Sequence, residues 1–214
     1  KGIIYQDNIH HRIGDEIQCT ALYKFLRSHN ITINYKDSNP KISSLNLFPD
    51  NLVNYIKEIP YKKKIVDFLN LWSWSPLLAS KGFYTEVQHK YNEKNIEYDC
   101  VFIPCLLPEY NTKRGISNPQ ELFYALKNKF KNFICIIDYD KKEFFNIEDS
   151  SVVYSQDIYQ TFKYIEKCKY FIGCDTGTTH YAGAINHPRM TLLYPDEAEM
   201  AEILSWHKIG RAHV

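Results

Sequence analysis

The densest set of reactive groups in the chain lies in Phe171-Ile-Gly-Cys-Asp175-Thr-Gly-Thr-Thr-His180-Tyr-Ala-Gly-Ala. An apolar strand is expected to end at Asp175, with a tight Thr-Gly turn and a helix of small residues after it. The first N–H groups of a helix have no intrahelical acceptor, and the helix dipole adds partial positive charge there. Gly177 lets a ligand approach the backbone closely. Such a turn suits a diphosphate, with Thr176, Gly177 and Thr178 as donors and His180 in the first turn reaching the same anion. The bland alternative is a helix capped by Asp175 or Thr176, with His180 packed in the core.

A second acid follows a glycine at the start of a helix in His10-His-Arg12-Ile-Gly14-Asp15-Glu-Ile-Gln-Cys-Thr20. A carboxylate at a helix N-terminus is held as the anion and can take a proton from a hydroxyl. As a cap alone it would contribute about 1 kcal/mol. The third cluster is the loop Glu109-Tyr-Asn-Thr112-Lys113-Arg114-Gly115, whose hydroxyl and two cations could neutralise a leaving phosphate. A solvated basic loop is its plain counterpart. Trp72 and Trp74 could stack on a sugar or fill a core.

These clusters need a scaffold, and hydrophobic periodicity predicts one in which strands and helices alternate. Strands are expected at Gly2–Gln6, Ile31–Tyr35, Lys64–Leu71, Tyr98–Cys105, Phe133–Asp138, Val152–Tyr154, Tyr170–Cys174 and Arg189–Tyr194. Helices are expected at Asp15–His29, weakly at Leu52–Ile59, at Pro76–Lys81, from Pro119 to about Phe130, at Asp157–Cys168 and at Thr178–Asn186. Asn118-Pro119-Gln120-Glu121 has the N-cap, Pro at N1 and Glu at N3 of a helix start. Asp37–Pro49 reads as a polar connection. Thr85–Tyr98 turns polar without periodicity and reads as an inter-domain linker. The pattern predicts an α/β fold with parallel sheets in two units.

The chain has 214 residues, 44% of them hydrophobic and 24% charged, with a formal net charge of +1. Near-neutral charge argues against a nucleic-acid partner. No apolar run approaches the roughly 20 residues of a membrane helix, and Lys1–Tyr5 is too short and polar for a secretory signal. The expected location is the cytoplasm. The six cysteines then read as reduced thiols, and Cys100 and Cys105 lack the spacing of a zinc knuckle, so no metal is expected. Ile209–Val214 resembles translated adapter sequence, so native sequence is expected to stop near His207 or Lys208, with the true C-terminus missing.

Taken together, these segments resemble glycosyltransferase family 9, the ADP-heptose lipopolysaccharide heptosyltransferases. Gly14-Asp15 with Thr20 is similar to the family's N-terminal Gly-Asp segment. Val66–Leu71, Leu77-Leu78-Ala79 and Gly82-Phe83 resemble its central strand and helix. Lys113 or Arg114, with Pro119 and Glu121, resembles its Lys…Trp-Pro…Glu stretch, although the Trp is absent. Asp175–Ala184 resembles its Asp-Ser/Thr-Gly-x-x-His-x-Ala-x-Ala signature.

The resemblance implies a GT-B architecture, two Rossmann-like domains around a cleft: an acceptor-side domain at 1–90, short for the family, and a nucleotide-sugar domain at 91–208. It implies an inverting, metal-independent transfer of a heptose-like sugar to a glycan or glycolipid, with no cofactor beyond the nucleoside-diphosphate sugar. Asp15 would be the base, with Gly14 and Arg12 beside it on the acceptor side. Thr112, Lys113 and Arg114 would meet the diphosphate. Asp175 would face the donor sugar, and Thr176, Gly177, Thr178 and His180 would complete the cradle. The nucleotide base would lie near Asp138–Phe145, where no motif is legible. A lipid-linked acceptor would bring the protein to the inner membrane surface as a peripheral contact.

Three readings compete. Asp-Thr-Gly-Thr is also the core of aspartic proteases, but these need a β-rich fold and a second Asp. A P-type phosphorylation site would need a Lys after the Asp. A GT-B-like sugar-nucleotide epimerase, or a non-catalytic nucleotide-sugar-binding module, would share most of the donor motif.

Overall fold

A computed structural model describes residues 3–7, 13–36, 44–53, 56–58, 77–106, 116 and 118–193. The first half contributes β1 (Ile3–Asp7), α1 (Ile13–Ser28), β2 (Thr32–Lys36), a 3-10 turn at Ser44–Leu47, α2 (Asp50–Val53), β3 (Ile56–Glu58) and a helical turn, α3, over 77–80. The second half contributes β4 (Tyr98–Ile103), α4 (Pro119–Lys129), β5 (Phe133–Asp138), a 3-10 turn at Tyr139–Phe144, β6 (Val152–Ser155), α5 (Ile158–Glu166), β7 (Cys168–Cys174), α6 (Gly177–Ala184) and β8 (Met190–Leu193).

Among the described residues all pairings are parallel, in two sheets: β1-β2-β3 and β6-β5-β4-β7-β8. Numbered within its own half, the second order is 3-2-1-4-5, that of a doubly wound sheet. Successive residues of β4 serve opposite faces. Cys100 and Phe102 join Phe123, Leu126, Phe133 and Phe145 under α4, while Val101 and Ile103 join Phe162, Ile165, Tyr181 and Ala184 under α5 and α6. Because both faces are covered, these strands read as continuous apolar runs.

The α5–α6 cluster continues into the first half. Ile17, Ala21, Leu22 and Tyr23 of α1 belong to it, as do Leu47, Phe48 and Leu52. The polar stretch expected to be a linker carries this continuity and is no loose tether. Thr85 and Val87 are buried. Thr20 Oγ1 accepts from the Glu86 N–H at 2.9 Å. The Gln88 N–H donates to the Leu47 carbonyl, and the Tyr91 N–H to that of Ile185. The stretch is polar because its backbone bonds to both halves instead of forming an element of its own.

Two other expectations change. The weak helix at Leu52–Ile59 is instead α2 followed by β3, since pairing with β2 overrides a poor 3.6-residue spacing. The polar connection at Asp37–Pro49 includes the turn Ser44–Leu47, and Phe48 packs edge-on to Tyr23 with ring centroids 5.9 Å apart. The strand expected at Lys64–Leu71 and the two tryptophans lie outside the described residues.

Just beyond α6, His187 is 2% exposed. Its Nδ1 accepts from the Arg189 N–H at 3.2 Å, so the Nε2–H donates to the Cys168 carbonyl at 3.0 Å. Burial of this neutral ring holds its pKa down to about 4. The unfolded ring titrates near 6.5, so the unfolded chain binds more protons between these values, and stability falls as pH drops through that window. The full loss is on the order of 3 kcal/mol. Denaturant titrations at pH 7 and pH 4.5 should show most of this loss, and His187→Phe should remove the His187 contribution to it.

Candidate functional site

In a doubly wound sheet the ligand crevice opens at the carboxyl ends of the strands, where the winding reverses. Here the reversal lies between β4 and β7. A pocket of about 440 Å³ opens there, with Ile103–Leu106 at the end of β4, Asp138, Asp140 and Lys141 at the end of β5, Ser155–Ile158 at the end of β6, and Thr176–Thr178 after β7. Ile13, at the start of α1, closes its side from the other half.

Local chemistry sets each wall. Thr176 has extended backbone angles and stands at the N-cap of α6, where its carbonyl accepts from the N–H groups of Thr179 and His180. Its hydroxyl lies 2.7 Å from that of Thr178. Six of the eight α6 residues are Gly, Ala or Thr, so the helix sinks between the sheet and α1. On the opposite wall the Asp157 side chain accepts from the Tyr159 N–H at 2.8 Å and starts α5. Thr161 Oγ1 donates to Ser155 Oγ at 2.9 Å. Asp138 accepts from the Asp140 N–H at 3.2 Å and bends the chain away from β5.

The sequence-predicted groups divide by position. Thr176, Gly177 and Thr178 line the pocket. Asp175 and His180 lie beneath it, 5% and 4% exposed, with His180 Nε2 3.4 Å from Asp175 Oδ1. His180 Nε2 is also 3.3 Å from Gln18 Nε2 of α1. His180 thus meets its neighbours at the α1–α6 junction. Asp15 is half-buried in the first turn of α1, two residues from the pocket wall at Ile13. Arg12, Thr112, Lys113 and Arg114 lie outside the described residues.

Gly14 sits against the donor turn. A Cβ on Gly14 would come 2.9 Å from His180 Cδ2 and 3.1 Å from Gly177 Cα. A Cβ on Gly177 would come 2.5 Å from Ile13 Cγ2 and 3.2 Å from the Gly14 nitrogen. The helix that carries Asp15 and the helix that opens the donor turn therefore begin in contact.

Sequence reasoning missed Gln18, Ser155, Gln156 and Thr161. Ser155-Gln-Asp157 ahead of an amphipathic helix was legible as a cap, and its place on the pocket follows only from the strand order. All six cysteines are buried thiols. Burial raises Cys100 to about 12 and Cys174 to about 11, which leaves both protonated and poor as nucleophiles or ligands. Among the described residues no group of three or more His, Cys, Asp or Glu is placed to hold a metal ion.

The fold, α/β with a parallel five-stranded sheet, is similar to that of solved glycosyltransferases. The structure of ADP-heptose lipopolysaccharide heptosyltransferase II from E. coli superposes with a TM-score of 0.58 at 15% identity, covering 100% of this chain and 91% of the other. TibC, an iron-containing dodecameric glycosyltransferase from enterotoxigenic E. coli H10407, superposes with a TM-score of 0.59 at 12% identity over 90% of this chain. The chain spans 58% of the length of TibC. No protein-family profile and no curated protein sequence matches the chain. At these identities the likeness is one of fold.

Gly177→Ala should push α1 from α6 and cost about 1–3 kcal/mol by overpacking. Ile13→Ala removes the nearest colliding methyl, so the double variant should be more stable than the sum of the two single losses predicts. Thermal denaturation of the four proteins checks this.

Proposed function

We propose that this chain is a family 9-type glycosyltransferase that moves a heptose-like sugar from a nucleoside diphosphate to a glycan or glycolipid acceptor, with inversion and without a metal. The observation that carries the reading is the meeting of the two helix N-termini. Asp15 follows Gly14, which touches Gly177 of the donor turn, and Thr176–Thr178 line a pocket at the position where a doubly wound sheet binds nucleotides.

The chemistry follows from those positions. The nucleoside occupies the pocket between the β4 and β6 ends, with its diphosphate on the backbone N–H groups that open α6. Lys113 and Arg114 neutralise the leaving diphosphate. Asp15 accepts the proton as the acceptor oxygen attacks the anomeric carbon from the face opposite the diphosphate. The carbon–phosphate oxygen bond breaks, and the nucleoside diphosphate leaves with the electron pair. Asp175, beneath the turn, orients the donor sugar. In this reading residues 1–90 serve the acceptor and 91–208 the donor. Among the described residues no helix is long and apolar enough to cross a membrane. A cytoplasmic protein meeting a lipid-linked acceptor at the membrane surface fits the proposal.

Asp15→Asn keeps size and capping ability and removes basicity. Turnover should fall by roughly two to four orders of magnitude, the range of general-base contributions, with donor affinity nearly unchanged. Asp175→Ala should weaken donor binding as well as rate. Near-normal transfer by Asp15→Asn would leave Asp15 as a helix cap and refute the mechanism. Nucleotide-sugar binding without transfer or donor hydrolysis would favour a binding module.

Lys113→Ala combined with Arg114→Ala should weaken a nucleoside diphosphate far more than the bare nucleoside, because the cations act on phosphate. Calorimetry with both ligands tests this, and equal losses would contradict it.

A further inference from the structure

Gln18 is a polar side chain where α1 calls for an apolar one. It lies one helical turn beyond Gly14, on the face turned toward α6, and it is 1% exposed. Its neighbours Ile17, Ala21 and Leu22 are core residues. Burying an amide among them costs free energy unless the amide is hydrogen-bonded. Its polar neighbour is His180 of the other half, with the nitrogens 3.3 Å apart. His180 Nε2 lies 3.4 Å from Asp175 Oδ1, and all three side chains are at most 5% exposed. A buried polar chain thus runs from α1 to the acid of the donor turn.

We propose that Gln18 is a positioning residue which, through His180, fixes Asp175 at the donor turn and holds the start of α1 in register with the start of α6. The proposal rests on the glycosyltransferase reading. A glutamine suits this place because its amide carries an acceptor oxygen. With the proton on His180 Nε2, that N–H faces Asp175 Oδ1 3.4 Å away, and Gln18 turns its amide oxygen toward the same N–H. The Nε2–H tautomer is thereby favoured over the Nδ1–H form, which would turn a lone pair on the carboxylate, and Asp175 stays in place as charge develops on the departing diphosphate. A methionine of the same length fills the space and offers no such acceptor.

The test is a comparison of wild type, Gln18→Met, His180→Phe and the double variant. In Gln18→Met, kcat should fall about 10-fold while the donor KM stays within about 2-fold, because the loss falls on the transition state. The double variant should turn over no more slowly than His180→Phe, since both changes cut one chain. Nitrogen-15 spectra of labelled histidine, taken without substrate, should show the His180 tautomer ratio moving toward Nδ1–H in Gln18→Met. An unchanged tautomer ratio, additive kcat losses, or a lowered melting temperature with normal kcat would each overturn the positioning role. A wild-type chain that transfers no sugar to any acceptor refutes the glycosyltransferase reading instead, and the histidine spectra still decide whether the Gln18–His180 chain exists.

Discussion

Everything in this molecule is arranged around a contact that only glycine permits. Gly14 and Gly177 meet where α1 and α6 begin, and a single methyl on either would come within 3 Å of a neighbouring side chain. Helices that start in contact point their positive dipole ends at the same region. One carries an acid, Asp15, and the other the Asp-Thr-Gly turn. In the proposed transfer the base and the cradle for the leaving anion must both reach the one reacting carbon. The glycine pair would supply that proximity, and the small residues of α6 let the remainder of the helix follow.

The contact also explains why the two halves share a core. A helix pair brought this close excludes water along its length, so α1 contributes Ile17, Ala21 and Leu22 to the cluster under α5 and α6. Farther along, the Phe162 and Tyr181 rings stack 3.8 Å apart and extend the apolar layer between α5 and α6. The Tyr181 hydroxyl donates to the Glu166 carboxylate, so the polar end of this buried ring is satisfied. Lys24 of α1 bonds Glu86 at 2.8 Å and draws the connecting stretch onto the same assembly.

Much of the second half was legible before any coordinates. Phe133–Asp138 was read to the residue, and Asn118-Pro119 and Asp157 marked their helix starts, because caps and doubly buried strands write strong local patterns. The first half was harder. β3 has three residues, too few for a period to show, and exists through its pairing with β2. The buried run of Thr85 and Val87 looked like a linker because its partners lie far away in sequence. At the site, the Asp-Thr-Gly turn announced itself through residue types that favour close backbone approach. Gln18 did not, because a lone amide on a helix gives no sign of its face-mate 162 positions away. The pocket walls from β5 and β6 were hidden for the same reason, since strand order is a property of the whole sheet.

The shared core bears on how such a chain can be recombined. Proteins built from two independent lobes tolerate exchange of a lobe between cousins, since each lobe brings its own interior. Here the seam runs through the interior itself, and the side chains on its two sides are cut to one another's shape: Ile13 to Gly177, Gly14 to the ring of His180. A hybrid joined in the stretch between Thr85 and Tyr98 would pair an α1 from one parent with an α6 from the other. The natural unit of inheritance is therefore the helix pair, and the two must change in step for either half to vary.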